Sequence, residues 1–353
     1  MSLKKVINPS NYMNKNNNQF NNKKLYCIQN IYGNNLNFIK KYNNFEEKLK
    51  KTISIIIFII VFICTKLPSF YKNNFSKNNL VCLCTIAKLE NKYIREFVEY
   101  YKKYDIDKIF LYDNNDINGE NFDDIIPDFI ENGFVELINF RGLKASQIKA
   151  YNKCYEKNNI LFDWLIFFDL DEFLYLKDFQ SIKLYLGDKR FNKCEKVQFN
   201  WVFHTDNNLV YYDNRSLAER FPEREKKSKG KKIGGKEWIK TILRGHNPSI
   251  TINNAHSLFK RSISCNGFGK KMRYYKNYAF VSDYEYYYID HYYCKSTEEF
   301  IEKIQKNDVL SNKDVRKRKI EKYFKYNKIT KEKIDFIEKE TNLVLSKYRA
   351  KIS

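Results

Sequence analysis

Between residues 80 and 168 short apolar runs alternate with helical stretches, and this alternation constrains the fold more than any other feature. The runs are Leu80–Ala87, Lys108–Tyr112, Phe134–Phe140 and Trp164–Phe168. Each is strand-length and close to continuously apolar, the pattern of a strand covered on both faces. Between them lie Tyr93–Tyr104, with Tyr93, Phe97, Tyr100, Tyr101 and Tyr104 crowding one side, then Phe122–Glu131 closed by Asn132-Gly133, then Ser146–Lys157. Strand and helix in alternation predict an α/β fold with a mainly parallel sheet and helices on both faces. After about residue 194 the pattern loosens, with a further strand expected over Tyr284–Ile289, and from Thr297 onward the chain reads as mostly helical. Arg224–Lys232 reads as a mobile basic loop, with a flap over a bound pyrophosphate as its functional reading.

The sharpest local feature closes the fourth run: Trp164-Leu-Ile-Phe-Phe-Asp169-Leu-Asp171-Glu172-Phe173. Alternation along a strand would turn Asp169 and Asp171 to the same side and Leu170 into the core. The carboxyl ends of parallel strands are where α/β folds bind ligands. Two hard oxygen donors there suit Mn²⁺ or Mg²⁺, which in turn grip a diphosphate. The plain alternative is a solvated acidic turn. Asp113, in the cluster Asp113-Asn114-Asn115-Asp116, ends the second run. It suits a hydrogen bond to a ribose or base, or else an Asx-turn onto its own backbone.

The amino-terminal part has a different character. Residues 1–51 are Asn- and Lys-rich and read as a disordered basic tail. Ile53–Thr65 is the one strongly apolar run, bracketed by Lys51 and Lys66. As a helix it spans about 20 Å, short of the roughly 30 Å hydrocarbon core unless the flanking lysines snorkel. Its length alone would suit a buried core segment. Its setting between polar segments favours a single-pass anchor over residues 52–67, followed by a stalk over 68–79. The more basic side is the tail, so the amino terminus is expected in the cytosol.

The formal net charge is +22. Charge alone fits a nucleic acid, a membrane surface or an anionic small substrate. No nucleic-acid-binding module is recognisable, so no nucleic acid is expected. Eight cysteines include six beyond the apolar run. They lack zinc spacing, and disulfides are possible there with pairing left open. Asn74-Phe-Ser76 and Asn214-Arg-Ser216 are acceptor sequons.

Several stretches together resemble glycosyltransferase family 92 and related family-2-like domains. They are Lys88–Tyr100, Phe110–Asn114, Gln147–Cys154 and Trp164–Phe173, then Glu219–Phe221, Lys240–Arg244, Ala255-His256 and His291–Phe300. The resemblance covers about residues 80–307, leaving 308–353 as a helical extension. It implies a GT-A fold with a mixed, mainly parallel sheet and a uridine-diphosphate sugar donor. It further implies a divalent metal on the Asp169/Asp171 pair and inverting transfer of a hexose, galactose first, to a glycan, glycoprotein or glycolipid hydroxyl. In a eukaryotic source the compartment expected is Golgi- or ER-like. Lys88, Glu90, Asp113, Asn114, Gln147 and Lys295 are then donor-binding candidates, and His256 and His291 join the metal set. Inverting chemistry needs a general base, and Glu219 and Asp206 are the candidates. Ser296 and Glu299 read as a capping box. The chain departs from the family at Leu89, where Asn is usual, and in the loop Phe203–Asn208, where the family has a small glycine-containing loop. A catalytically inactive binding protein is the competing class.

Overall fold

In a computed structural model of the chain, the described residues are 52, 79–225, 237–259, 262–272, 274–275, 278–279, 283–305 and 313–352. All but residue 52 belong to one unit running from Phe75 to Ser353. The tail, the Ile53–Thr65 run, nearly all of the stalk and most of the Arg224–Lys232 loop lie outside the described residues. Among the described residues no helix is long and apolar enough to cross a membrane.

Among the described residues eleven strands form one sheet: β1 (Val81–Ala87), β2 (Lys108–Asp113), β3 (Val135–Asn139), β4 (Trp164–Phe167), β5 (Glu172–Leu176), β6 (Lys196–Phe203), β7 (Glu237–Arg244), β8 (Ser264–Asn266), β9 (Tyr274–Tyr275), β10 (Tyr278–Ala279) and β11 (Tyr287–His291). Its main path is β3-β2-β1-β4-β7-β6-β11-β5. The first four strands on that path are parallel. Beyond them β7 runs antiparallel to both β4 and β6, and β5 antiparallel to β11. Parallel pairing returns where β11 and β8 each lie beside β6, so the sheet is mixed, as the sequence reading expected. The pattern of alternating helices that imposes parallel pairing stops after β4, and the later strands connect without that constraint.

Side-chain alternation builds the two-faced core directly. Val81 and Leu83 of β1, Ile109 and Leu111 of β2, and Trp164 and Ile166 of β4 share one cluster with Ile94, Phe97 and Tyr101. Cys82 and Cys84, Phe110 and Tyr112, and Leu165 and Phe167 share the opposite cluster with Ala150, Tyr151 and Cys154. The helix on the first face, Ile94–Lys103, buries Ile94, Phe97, Val98 and Tyr101. That is the i, i+3, i+4, i+7 stripe of an amphipathic helix. Burying each such side chain contributes about 1.5–3 kcal/mol. The helix on the second face, Gln147–Asn158, is stapled to β1 by a Cys84–Cys154 disulfide. A second disulfide joins Cys194 to Cys265. Closing a loop of 70 residues restricts the unfolded chain by about 4 kcal/mol.

Two expected elements are shorter or shifted. The helix expected over Phe122–Glu131 is only Pro127–Glu131, because the residue before a proline disfavours the helical region. The strand expected from Tyr284 begins at Tyr287. There the Asp283 carboxylate accepts the backbone N–H groups of Glu285, Tyr286 and Tyr287, holding a turn in place of the strand.

The carboxy-terminal helices Thr297–Gln305, Lys313–Tyr326 and Lys331–Thr341 form a third cluster. Phe300, Ile301 and Ile304 pack there with Ile320, Tyr323, Ile334 and Ile337.

Candidate active site

The parallel strands end level with one another: Ala87 pairs with Asp113, and Asp113 with Asn139. Over this edge opens a cavity of about 550 Å³, within the range of small-molecule sites. Its walls include Ala87, Lys88, Gln147, Asp169, Asp171 and Trp201, with Trp238, His256, His291, Tyr293, Lys303 and Lys322. A smaller adjoining pocket takes in Leu89, Glu90 and Lys295.

Asp169 and Asp171 both line the cavity, though not through strand alternation. β4 stops at Phe167, and the segment turns, with Glu172 N–H donating to the Asp169 carbonyl at 3.1 Å. Leu170 does enter the core. The turn gives the two carboxylates different partners. Asp169 accepts from Gln147 Nε2 at 2.9 Å and Tyr151 Oη at 3.2 Å, and lies 2.8 Å from Lys240 Nζ. Asp171 lies 3.4 Å from His291 Nε2 and 3.1 Å from Lys303 Nζ. Burial pushes the Asp171 carboxyl up, but Lys303 and His291 outweigh it and hold the group well below the usual carboxylate range.

Asp171, Glu172 and His291 bring one ligand atom each to within 4.8 Å of the others. Burial, with Asp169 and Asp171 nearby, raises the Glu172 carboxyl well above its ordinary value against the pull of Lys240. Burial lowers the His291 imidazole, keeping it neutral. Glu172 Oε1 and His291 Nδ1 are buried and have no hydrogen-bond partner among the described residues. Orphaned buried polar atoms of this kind point to a missing ion or water. His256 stands apart from that group. Its Nδ1 lies 3.2 Å from the Ile239 carbonyl, which fixes the Nδ1–H tautomer and leaves Nε2 as an acceptor. Its ring meets those of Trp201 and Trp238, themselves stacked at 5.7 Å. Burial, with repulsion from Lys240, pushes the His256 imidazole down to about 4.

The remaining candidates divide. Gln147 orients Asp169. Lys295 Nζ lies 3.2 Å from Glu90 and 3.2 Å from the centre of the Tyr93 ring. Lys88 pairs with Asp116 at 2.7 Å. Asp113 is buried with both oxygens engaged: one accepts the Asn115 N–H in an Asx-turn, the other binds Arg141 Nη1 at 2.6 Å. Asn114 spends its amide on the Phe140 and Leu143 carbonyls.

Neither proposed general base faces the cavity, whose described carboxylates are Glu90, Asp169 and Asp171. Glu219 is exposed and completes a capping box with Ser216. Asp206 is buried against Tyr323 and Lys333, tying the loop after β6 to the carboxy-terminal helices. Lys295 leads into the Ser296–Glu299 box, which forms as expected, with Glu299 also binding Arg220 at 2.8 Å.

Five residues escaped the sequence reading: Glu172, Lys240, Lys303, Trp201 and Trp238. Lys240 carried a signal, since it interrupts the apolar run Trp238–Leu243. Lys303 carried none, because a lysine on a helix is ordinarily solvated.

The fold and site define an α/β protein with a ligand cleft at the carboxyl edge of its sheet, where carboxylates, a neutral imidazole, lysines and indoles converge. The chain belongs to glycosyltransferase family 92, whose model matches residues 77–325. It is similar to a glycosyltransferase family 92 protein of Ricinus communis, 26% identical over 100 residues, covering 28% of this chain and 18% of that one. A glycosyltransferase family 92 protein of Oryza sativa subsp. japonica is 23% identical over 117 residues, covering 33% and 20%. The chain thus spans about a fifth of the length of the curated relatives it matches. Among solved structures, S. aureus TarS 1–349 in complex with UDP-GlcNAc aligns at 14% identity and a TM-score of 0.32, covering 76% of this chain and 85% of that one. GalNAc-T7 with UDP, GalNAc and Mn²⁺ aligns at 12% and 0.24, covering 36% and 23%.

Proposed function

We propose that this chain is a metal-dependent glycosyltransferase of GT-A type. It moves a hexose, galactose first, from a uridine-diphosphate sugar to a hydroxyl of a glycan or glycoconjugate, with inversion. One observation carries the reading: Asp171 and His291 line a cavity of about 550 Å³ at the sheet's carboxyl edge beside the stacked Trp201 and Trp238, with the buried Glu172 grouped behind them.

The donor set fits Mn²⁺ or Mg²⁺, since oxygens and a neutral imidazole suit those ions and two buried polar atoms of these residues have no partner among the described residues. Asp171 and His291 would hold the ion, with Glu172 behind them. Bound there, it would neutralise charge on the departing diphosphate. The protein's own groups do the rest. Gln147, Tyr151 and Lys240 hold Asp169 in one orientation. Trp201 and Trp238 offer flat apolar faces for a pyranose ring. The Asp113–Arg141 pair fixes the loop beyond β2 that would flank the nucleoside.

Two further parts of the reading concern the cell. The disulfides Cys84–Cys154 and Cys194–Cys265 support an oxidising compartment, Golgi- or ER-like. Such a placement goes with a single-pass anchor over residues 52–67 and a cytosolic tail.

The test is UDP release from UDP-galactose, UDP-glucose and UDP-N-acetylglucosamine by the full chain in detergent with Mn²⁺. The expected result is turnover that chelator abolishes and that Asp171→Asn lacks. Absence of turnover with every donor, together with absence of UDP binding, would overturn the proposal.

A further inference from the structure

We propose that Lys303 and Lys322, from two different carboxy-terminal helices, form the cationic wall that holds the donor's diphosphate. The helices after the sheet would then be part of the donor site. This inference rests on the glycosyl-transfer reading and adds residues to it.

Five lysines reach the two adjoining pockets: Lys88, Lys92, Lys295, Lys303 and Lys322. Three of them are already answered by acids outside the metal group. Lys88 pairs with Asp116, Lys92 with Glu302, and Lys295 is buried against Glu90 and the face of Tyr93. The other two flank a single ring. Lys322 Nζ lies 4.3 Å from the centre of Tyr293 and Lys303 Nζ 5.6 Å from it. Lys303, 39% exposed, also reaches Asp171 Oδ2 at 3.1 Å. It therefore touches the carboxylate beside which the diphosphate would lie. Lys322 is exposed at the cleft, and among the described residues no carboxylate stands within ion-pair distance of it. Partial burial disfavours its charge, and Lys319, Lys325 and Lys303 repel it. An anion settling between Lys303 and Lys322 offsets the repulsion between those two.

The packing explains why both lysines are there. Phe300, Ile301 and Ile304 face the apolar cluster shared with Ile320, Tyr323 and Phe324. Lys303 and Lys322 flank that seam. Docking the two helices together is what carries both ammonium groups to Tyr293. Two fixed cations beside a departing diphosphate stabilise the charge that builds on it.

The experiment is calorimetric titration of the full chain with UDP, uridine and inorganic pyrophosphate, in chelator so that the lysines alone are read. Lys322→Ala should weaken UDP and pyrophosphate about 10-fold or more and leave uridine unchanged. Lys303→Met should do the same. Lys317→Ala, exposed on the same helix as Lys322, is the control and should change nothing. Melting curves identify a variant that fails to fold, and Lys322→Ala carries the test in that event. UDP binding that is equal in wild type and Lys322→Ala would overturn the inference while leaving the donor reading intact. Pyrophosphate binding lost in Lys322→Ala, with no UDP binding in wild type either in chelator or with Mn²⁺, would uphold the lysine wall and sink the donor reading. No binding of either anion by wild type would overturn the inference.

Discussion

Nε2 of His291 lies 3.4 Å from Oδ1 of Asp171, although one residue ends β11 and the other sits in the turn after β4. Pairing of β11 with β5 in the register His291–Glu172 brings them together. Both are buried, and His291 is kept neutral by burial, so it is available as a ligand. Asp171→Asn and His291→Gln should each weaken Mn²⁺ binding at least about 10-fold. Electron paramagnetic resonance of free Mn²⁺ measures this directly. An unchanged affinity in both variants would leave the group a structural hydrogen-bonded pair.

Glu219 and Asp206 should behave as structural residues of very different weight. Glu219→Ala removes one side of an exposed capping box whose N-cap Ser216 remains, and should leave both the melting temperature and kcat nearly unchanged. Asp206→Asn leaves Lys333 buried without its counter-charge, at a cost of about 3–5 kcal/mol. Denaturant unfolding alongside turnover separates the two. A collapse of kcat in a fully folded Glu219→Ala would restore it as a general base.

Leu89 has φ of +60° and its N–H donates to Asn115 Oδ1 at 2.8 Å. A leucine held left-handed costs roughly 1–2 kcal/mol, and asparagine tolerates that region better. The departure from the family pattern is thus a backbone matter. Leu89→Asn should raise stability by about 0.5–1 kcal/mol without changing UDP affinity. A lower melting temperature would mean that the side chain's packing outweighs the backbone gain.

His256 should make the protein acid-sensitive. Its folded value is about 4 against an ordinary 6.5. Between those values the unfolded chain binds the proton more readily than the folded one, so stability falls as pH drops through this window. Above pH 6.5 the contribution is constant. Comparing melting temperatures at pH 7 and pH 5 in chelator, His256→Gln should lose less than wild type. Equal losses would place the acid sensitivity in other groups.

The sequence alone determined the first half of the fold. Continuous apolar runs of strand length and a period of 3.6 between them are local signals, and the alternation of Val81/Leu83 with Cys82/Cys84 onto two faces follows from backbone geometry. It also marked Asp169 and Asp171 as cavity residues, because a strand that delivers acids to the carboxyl edge does so wherever its neighbours are. What came later in the chain was decided by tertiary pairing. The antiparallel insertion of β7 between β4 and β6 set Lys240 against Asp169. The register of β11 on β5 chose His291 over His256 as the partner of Asp171. Docking of the last helices brought Lys303 and Lys322 to Tyr293 and took Asp206 into a buried ion pair. These contacts join residues far apart in the chain, and a residue's local sequence carries no record of which distant surface it will meet. Asp113 belongs on both sides of that line. Its Asx-turn is written in the local sequence, while its pairing with Arg141 exists only because β2 and β3 lie side by side.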